Sequence, residues 1–201
     1  MVKYKIYDYI VYLIWVFFLF VTIYDLFIIP ARSIFWALQL LLSIFIYNKF
    51  DIPIFVYFGL LLIFLANIFG EHFLGLFYVF PYYDKIIHLL SPLLACTFFY
   101  FIFDKRFKDK KLLIIFSVTL LLSFELFFEL VEYFFDKNFN TILQGVHQSG
   151  VKKFGGYEVV LSRFDDTIYD MFLNLVGSII FAIISFFILT KKNMRRVRNF
   201  F

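Results

Sequence analysis

Long apolar runs separated by short polar segments recur along this chain of 201 residues. An apolar helix needs about 20 residues to cross a membrane core of ~30 Å. Six runs of about that length follow one another, at residues 6–29, 33–48, 52–70, 84–103, 112–135 and 167–190. The second run is the shortest, and we expect its helix to be short or tilted. The pattern predicts an all-α, polytopic membrane helix bundle that forms a single domain over residues 1–201.

The composition agrees with a membrane protein, because 63% of the residues are hydrophobic and 25% are aromatic. A soluble domain of this length is far less apolar. The formal net charge is +4, but Lys and Arg are grouped in short clusters beside the apolar runs. Such clusters contact lipid headgroups rather than nucleic acid. The predicted partners are therefore membrane lipids and a small-molecule or lipid substrate, and the sequence leaves the oligomeric state open.

The distribution of Lys and Arg also predicts an orientation in the cell membrane. With six spans and a cytoplasmic N-terminus, most of the 19 cations lie in cytoplasmic segments, including the basic tail 191–201. Both termini are then cytoplasmic, and the polar stretch 136–166 becomes an outer loop. The connector 71–83 is rich in aromatic residues and is predicted to lie at the interface. The single cysteine, Cys96, can form neither an intramolecular disulfide nor a thiolate metal site.

Three carboxylates lie within the fifth apolar run. Glu125, Glu129 and Glu132 follow the spacing i, i+4, i+7, so they share one helix face. With a rise of 1.5 Å per residue, they lie roughly 15, 9 and 5 Å below an outer boundary near Phe135. A carboxylate at membrane depth costs a few kcal/mol or more, and by default it marks a functional site.

Other runs carry polar residues at matching depth, near their predicted outer ends. These are Asp25 in the first run, the stripe of Asp84, His88 and Ser91 in the fourth, and the stripe of Asp166, Asp170, Asn174 and Gly177 in the sixth. Simpler roles exist for several of them. Asp84 and Asp166 can cap the N-termini of their helices, Asp170 can complement a helix dipole, and His88 can bond a neighbouring backbone. Gly177 and Ser178 are expected to allow close helix packing.

Carboxylates and one imidazole suit hard or borderline divalent ions such as Mg²⁺, Mn²⁺, Fe²⁺ or Zn²⁺. The candidate metal ligands are Asp84, His88, Glu129, Glu132, Asp166 and Asp170, and the candidate catalytic residues are Glu125, Glu129, Glu132 and Asp170. A bound cation would offset the repulsion among these acids. Two other solutions stay open: protonation of the glutamates, as in proton relays, and an internal cation, Lys85 or Arg163, in a structural ion-pair network.

Three segments resemble motifs of YjdF-like inner-membrane proteins. Tyr83-Asp84-Lys85-Ile86-Ile87-His88 resembles the family's Y-D-K-x-x-H motif at a helix start. Glu129-Leu130-Val131-Glu132-Tyr133 resembles its E-L-x-E-W segment, with tyrosine in place of tryptophan, and Asp166-Thr167-Ile168-Tyr169-Asp170-Met171 resembles its D-T-x-x-D-M segment. The order agrees, and the resemblance covers about residues 60–184. A weaker similarity to VanZ-like proteins rests on the D-K-x-x-H start and the Asp170, Asn174, Gly177 stripe.

The resemblance implies a multi-spanning membrane protein with no established biochemical activity, and it supports the fold and the site positions. One departure concerns the segment before Asp166. The family usually has a short glycine-rich approach to its aspartate motif, whereas here a longer insert separates Gln144-Gly145 from Asp166.

The leading hypothesis is a membrane enzyme that acts on a lipid or lipid-linked substrate with a divalent metal ion or an acid–base pair. Glu125 would be its deeper base. A proton- or cation-coupled permease with Glu125 and Glu129 as carriers ranks second, because few polar residues, among them Gln39 and Asn67, lie elsewhere in the spans. A non-catalytic membrane module is the third alternative.

Overall fold

The computed structural model describes residues 6–80, 82–139, 144–149 and 157–188. The helices are α1 (Ile6–Ile28), α2 (Pro30–Lys49), α3 (Ile54–Ile68), α4 (Leu76–Val79), α5 (Tyr83–Phe103), α6 (Lys110–Phe139) and α7 (Arg163–Ile188), and a π-helical turn, Phe69–Phe73, follows α3. Two strands, β1 (Val146–Ser149) and β2 (Tyr157–Leu161), separate α6 from α7. The chain forms two compact units, Met1–Tyr57 and Phe58–Phe201. The predicted single domain stays a prediction.

The first unit is built on a hairpin of α1 and α2. Pro30 occupies the first turn of α2, where a missing N–H costs no helical hydrogen bond. Beside this turn, the fully buried Asp25 carboxylate accepts hydrogen bonds from Arg32 Nε at 2.6 Å and Arg32 Nη2 at 2.9 Å. Trp36 Nε1 donates to the same carboxylate at 2.7 Å. Asp25 therefore serves the α1–α2 turn in this unit.

The opposite end of the hairpin is held by aromatic side chains. Tyr47 on α2 donates to Asp8 on α1. Trp15 Nε1 donates to the Tyr57 hydroxyl at 3.0 Å, and that hydroxyl donates to the Ser43 carbonyl at 3.1 Å. Buried polar contacts at both ends thus fix how α1 and α2 pair.

The second unit is built on α5, α6 and α7, which pack against one another. The closest approach is between α7 and α5, where a Cβ on Gly177 would lie 2.3 Å from the Leu89 carbonyl oxygen and 3.2 Å from Pro92 Cβ. The predicted close packing at Gly177 is confirmed. Away from the polar stripes, these helices bury an apolar core, which is formed by Cys96, Tyr100, Leu113, Ile114, Leu121 and Phe181.

Among the described residues, four helices are long and apolar enough to cross a membrane. They are Ile6–Ile28, Tyr83–Phe103, Lys110–Asn138 and Arg163–Ile188. The predicted count of six spans is not confirmed: α2 contains Arg32, Gln39 and Lys49, and α3 has only 15 residues before the π-helical turn. The basic residues of the tail 191–201 and of the first five positions lie outside the described residues.

The connector 71–83 folds into the end of the π-helical turn and α4. Gly75 between them has a φ of 56°, a left-handed conformation that glycine adopts without strain. A Cβ on Gly70 would lie 2.3 Å from Tyr83 Cε1, so glycine lets the Tyr83 ring lie against the turn. The Tyr83 hydroxyl also donates to the Ala66 carbonyl at 2.8 Å. These contacts fix the start of α5, which carries the first polar stripe.

The stretch 136–166 is more regular than the predicted outer loop. Helix α6 continues to Phe139, and β1 and β2 pair antiparallel, with Ser149 opposite Tyr157 and an irregularity between Val146 and His147. The β-branched pair Val159–Val160 was the available signal for a strand. Residues 140–143 and 150–156 lie outside the described residues. Helix α4 packs against β1, so the connector and the hairpin meet.

Candidate functional site

A lysine joins three of the predicted carboxylates. Lys85 Nζ donates to Asp84 Oδ2 at 2.9 Å, to Asp170 Oδ1 at 2.6 Å, and to Asp166 Oδ1. An ammonium group has three donors, and all three are used here. The N-terminal turns of α5 and α7 are therefore tied together by an internal cation. This is the Lys85 ion pairing that the sequence left open as one of its alternatives.

His88 lies one turn further along α5 and faces the same carboxylates. Its Nε2 is 3.4 Å from Asp84 Oδ1 and 3.8 Å from Asp170 Oδ1. One donor atom from each of Asp84, His88 and Asp170 lies within 4.8 Å of the others. Divalent ions bind such oxygen and nitrogen atoms at about 2.0–2.6 Å. Asp84 and Asp170 already accept hydrogen bonds from Lys85, so an ion bound to these three side chains would compete with the ammonium group.

Local backbone chemistry helps to position His88. Pro92 has no N–H, so it cannot donate to the His88 carbonyl one turn earlier, and the helical ladder of α5 is interrupted there. Gly177 of α7 fits against Leu89 and Pro92 at this level. The proline and the glycine together bring the Asp170 and Asn174 face of α7 up to His88.

Asn174 connects the imidazole to the deepest glutamate. It is fully buried, and its Nδ2 lies 3.2 Å from His88 Nδ1 and donates to Glu125 Oε2 at 3.2 Å. Within the described part of the chain, its Oδ1 has no hydrogen-bond partner. Glu125 thus belongs to the same group of side chains as Asp84, His88 and Asp170.

The remaining two glutamates continue along α6. Glu129 is buried, and its carboxylate faces Thr167 and Gln144. Glu132 is half-buried, and the described residues offer its carboxylate no hydrogen bond. Glu132 is therefore the least constrained of the predicted acids.

A loop contact links the hairpin to the site. The backbone N–H of Gly145 donates to Asp166 Oδ2 at 2.7 Å, and that of Gln144 donates to Asp136 Oδ2 at 3.0 Å. The Gln144 side chain donates to Thr167 Oγ1 at 2.8 Å. Asp166 uses one oxygen for Gly145 and the other for Lys85, and it is not one of the three residues whose donor atoms lie within 4.8 Å of one another. Gln144-Gly145 therefore contacts Asp166 in the structure, although a long insert separates them in sequence.

The structure brings the predicted acids of α5, α6 and α7 together around Lys85, His88 and Asn174. The N-cap interpretation of Asp84 and Asp166 is wrong. Tyr82 precedes α5 without a side-chain cap, and α7 begins at Arg163, where the Asp165 N–H donates to Ser162 Oγ at 3.2 Å. Both aspartates lie inside the first turn and use their carboxylates on Lys85.

Sequence reasoning missed Gln144, Thr167 and Asp136 as members of this arrangement. Thr167 directly follows Asp166, and Asp136 lies one turn beyond Glu132, so both positions fall next to a predicted acid. The family resemblance offered a further signal, because Thr167 lies in the D-T-x-x-D-M segment and Gln144 in the Gln144-Gly145 pair. The side chains of His147 and Tyr157 lie outside the described residues.

The charge balance of the site is strongly negative. Six carboxylates (Asp84, Glu125, Glu129, Glu132, Asp166 and Asp170) share this region with one lysine and one histidine. Arg163 is exposed and lies 3.7 Å from Asp136, at the edge of the group. In a low-dielectric environment so many carboxylates require protons or further positive charge.

A family model described as "predicted membrane protein (DUF2238)" matches residues 5–191. The chain belongs to this family. YjdF-like proteins are members, so the YjdF-like resemblance is confirmed, whereas the VanZ-like similarity finds no support. No curated protein and no solved structure matches the chain.

Proposed function

We propose that the acidic and histidine-containing group of α5, α6 and α7 is the reaction centre of a membrane enzyme. Its substrate would be a lipid or a lipid-linked molecule, and a divalent ion held by Asp84, His88 and Asp170 would assist the reaction. The observation that carries the proposal is the grouping of these three donor atoms within 4.8 Å of one another. They lie at the N-terminal ends of two apolar helices, where a lipid headgroup would be within reach.

The surrounding residues support distinct roles. The ion would polarise a substrate oxygen or a bound water molecule. Glu132 would act as the acid–base group, because it is half-buried and lacks a hydrogen bond among the described residues. Glu129 and Glu125, which contact Thr167, Gln144 and Asn174, would position the inner side of the site.

Access from the membrane supports a lipid substrate. Leu130 and Tyr133 on α6 and Met171 on α7 are exposed apolar residues that lie close in sequence to the site residues. An acyl chain could contact these side chains while its headgroup reaches the polar group. Both termini would be cytoplasmic and the site would face outward, in keeping with the distribution of Lys and Arg.

Turnover of lipids tests this proposal directly. Purified protein in nanodiscs of total bacterial lipid would be incubated with Mn²⁺ or Zn²⁺, and the lipids would be compared by mass spectrometry. We expect a new species that requires the parent protein and the metal, and that is lost with Glu132→Gln and His88→Ala. The matched control is Asp165→Asn, an exposed aspartate beside Asp166 that should keep the activity. Identical lipid profiles for the parent and His88→Ala would contradict the proposal.

A proton- or cation-coupled permease is the second candidate, and the position of Glu125 near the middle of α6 favours it. A permease needs a polar route past that point. Among the described residues, the buried side chains beyond it include the apolar Leu121, Phe181 and Tyr100. The buried polar groups there are the hydroxyls of Ser117, Ser178 and Ser185, with no buried carboxylate among them, which favours the enzyme. Cation flux into proteoliposomes that disappears with Glu125→Gln would reverse this ranking.

A further inference from the structure

The connection between α5 and α6 uses its own acidic side chains internally. Residues 104–109 form this connection, at the end of both helices that is remote from the acidic group. Lys110 Nζ donates to the Asp104 carbonyl oxygen and to Asp104 Oδ1, both at 2.6 Å. Asp109 Oδ1 accepts the backbone N–H of Lys111 at 2.8 Å, so Asp109 caps the start of α6. Both carboxylates of the connection are therefore bound to groups of the connection and of the first turn of α6.

The other charged side chains here are cationic and reach the surface. Four of them are exposed: Lys105, Arg106, Lys108 and Lys111. With Lys110 included, residues 104–111 contain five cations against two carboxylates, a formal charge of +3. Charges of one sign that lie this close together create a positive potential that attracts anions. The structure thus presents a positive surface whose own acids do not neutralise it.

Aromatic rings hold two of these cations in place. Arg106 Cζ lies 5.5 Å from the centroid of the Phe103 ring, and Lys111 Nζ lies 5.4 Å from that of Phe186 on α7. Cations at such distances are attracted to the ring face. Phe103 in turn packs against Phe116 of α6, with ring centroids 5.0 Å apart. Because these long side chains are already ordered, they lose less conformational entropy when they bind an anion.

The position of the connection favours a lipid as the source of that anion. Both α5 and α6 are long and apolar enough to cross a membrane, so a connection between them lies at a membrane face. Leu112 and Ile115 of α6 are exposed by 53% and 62%, and they lie within about one helical turn of Lys111. A lipid can place its headgroup on the cations and its acyl chains on these apolar side chains. A free phosphate ion would use the cations alone.

We infer that Arg106, Lys108 and Lys111 bind the phosphate of an anionic phospholipid at this membrane face. A headgroup with a net negative charge, such as phosphatidylglycerol, complements the positive surface. The ammonium group of phosphatidylethanolamine is repelled by the same cations, so the surface selects between the two lipids. This binding site is separate from the proposed reaction centre, and its existence does not depend on the proposed function.

Native mass spectrometry of the purified protein in detergent tests the inference. The protein would be mixed with equal amounts of phosphatidylglycerol and phosphatidylethanolamine that carry the same acyl chains. We expect the parent to bind more phosphatidylglycerol. Arg106→Gln and Lys111→Gln should each lower the ratio of the two bound lipids about fivefold, the equivalent of the ~1 kcal/mol that one cation near a lipid surface contributes.

Lys137→Gln is the matched control. Lys137 is also exposed, and its Nζ lies 5.6 Å from the centroid of the Tyr133 ring, but it is near the opposite end of α6. The lipid ratio should therefore stay that of the parent. Equal losses for Lys137→Gln and Lys111→Gln would overturn the site, because the attraction would then follow total charge alone.

Two further results would overturn the inference without the use of a variant. Equal binding of the two lipids by the parent would show that the surface does not select an anionic headgroup. Release of bound phosphatidylglycerol by an equal concentration of glycerol phosphate would show that the cations bind a free phosphate and that the acyl chains contribute nothing. Retention of the lipid under that competition is the expected result.

Discussion

Gly177→Ala is the substitution that should most sharply separate helix packing from the chemistry of the site. Gly177 lies on α7 where that helix meets α5, and the new Cβ would be 2.3 Å from the Leu89 carbonyl oxygen. Ordinary contact begins at 3.4 Å, so the helices must separate by about 1.1 Å, which is 3.4 minus 2.3. The contacted atom is backbone, so rotation of a side chain cannot relieve the clash.

The expected cost is that of overpacking a core, about 1–3 kcal/mol of unfolding free energy. The matched control is Gly59→Ala on α3, whose Cβ would make only an ordinary contact of 3.4 Å with Leu94 Cδ2. Both substitutions gain the same helix propensity from alanine, up to ~1 kcal/mol. The difference between the two variants therefore reports the clash alone.

A second consequence follows for the site, because Leu89 is the residue after His88. Displacing that segment by about 1 Å would misplace the imidazole relative to Asp170 and Asn174, and a misplacement of this size can cost about 10²-fold in activity. Thermal unfolding in detergent and lipid turnover would both be measured. Equal unfolding midpoints and equal turnover for Gly177→Ala and Gly59→Ala would refute the reasoning.

Three further predictions concern the ion pairs. Lys85→Met removes the internal cation that competes with a divalent ion for Asp84, Asp166 and Asp170. The affinity for a divalent ion, measured by calorimetry, should therefore rise by about tenfold or more. Weaker binding would contradict competition between the ammonium group and the ion. Asp166→Asn should loosen the hairpin through Gly145, which would appear as faster amide hydrogen exchange at 144–149, with Asp165→Asn unchanged. Asp25→Asn breaks the buried pair with Arg32 and should destabilise the protein by about 3–5 kcal/mol, whereas an unchanged unfolding midpoint would show that the pair contributes little.

The helices and the acidic stripes could be predicted because their physical causes are local. Apolar runs long enough to span a membrane set α1, α5, α6 and α7, and helical spacing placed Asp84 with His88 and Asp166 with Asp170. The high cost of a misplaced carboxylate in an apolar run made their convergence a sound expectation.

The hydrogen-bond partners inside the site could not be predicted from the sequence in the same way. Lys85 neighbours Asp84 in sequence, but its long side chain also reaches Asp166 and Asp170, residues that only tertiary packing brings near. Helical spacing predicts a shared face and does not predict where a flexible side chain ends. The position of Gln144-Gly145 beside Asp166 depends in the same way on the hairpin, because the intervening segment returns the chain to α7.

The two predicted spans that are not confirmed, at α2 and α3, have a related explanation. Helix α2 begins at Pro30, before the predicted run 33–48, and ends at Lys49, after it. The helix is therefore longer and more polar than the predicted run. The run 52–70 lost its ends to Pro53 and to the π-helical turn at Phe69. Apolar length alone did not reveal these boundaries, which depend on proline and on the packing of Gly70 under Tyr83.

Metal content of the purified protein tests the central claim most directly. The parent, His88→Ala, Asp170→Asn and the control Asp165→Asn would be dialysed against equal Mn²⁺ and Zn²⁺ and measured by elemental mass spectrometry, with circular dichroism to verify folding. The account predicts about one divalent ion per chain in the parent and in Asp165→Asn, and loss of that ion in the other two variants. A folded parent without metal, or equal metal in all four proteins, would contradict it.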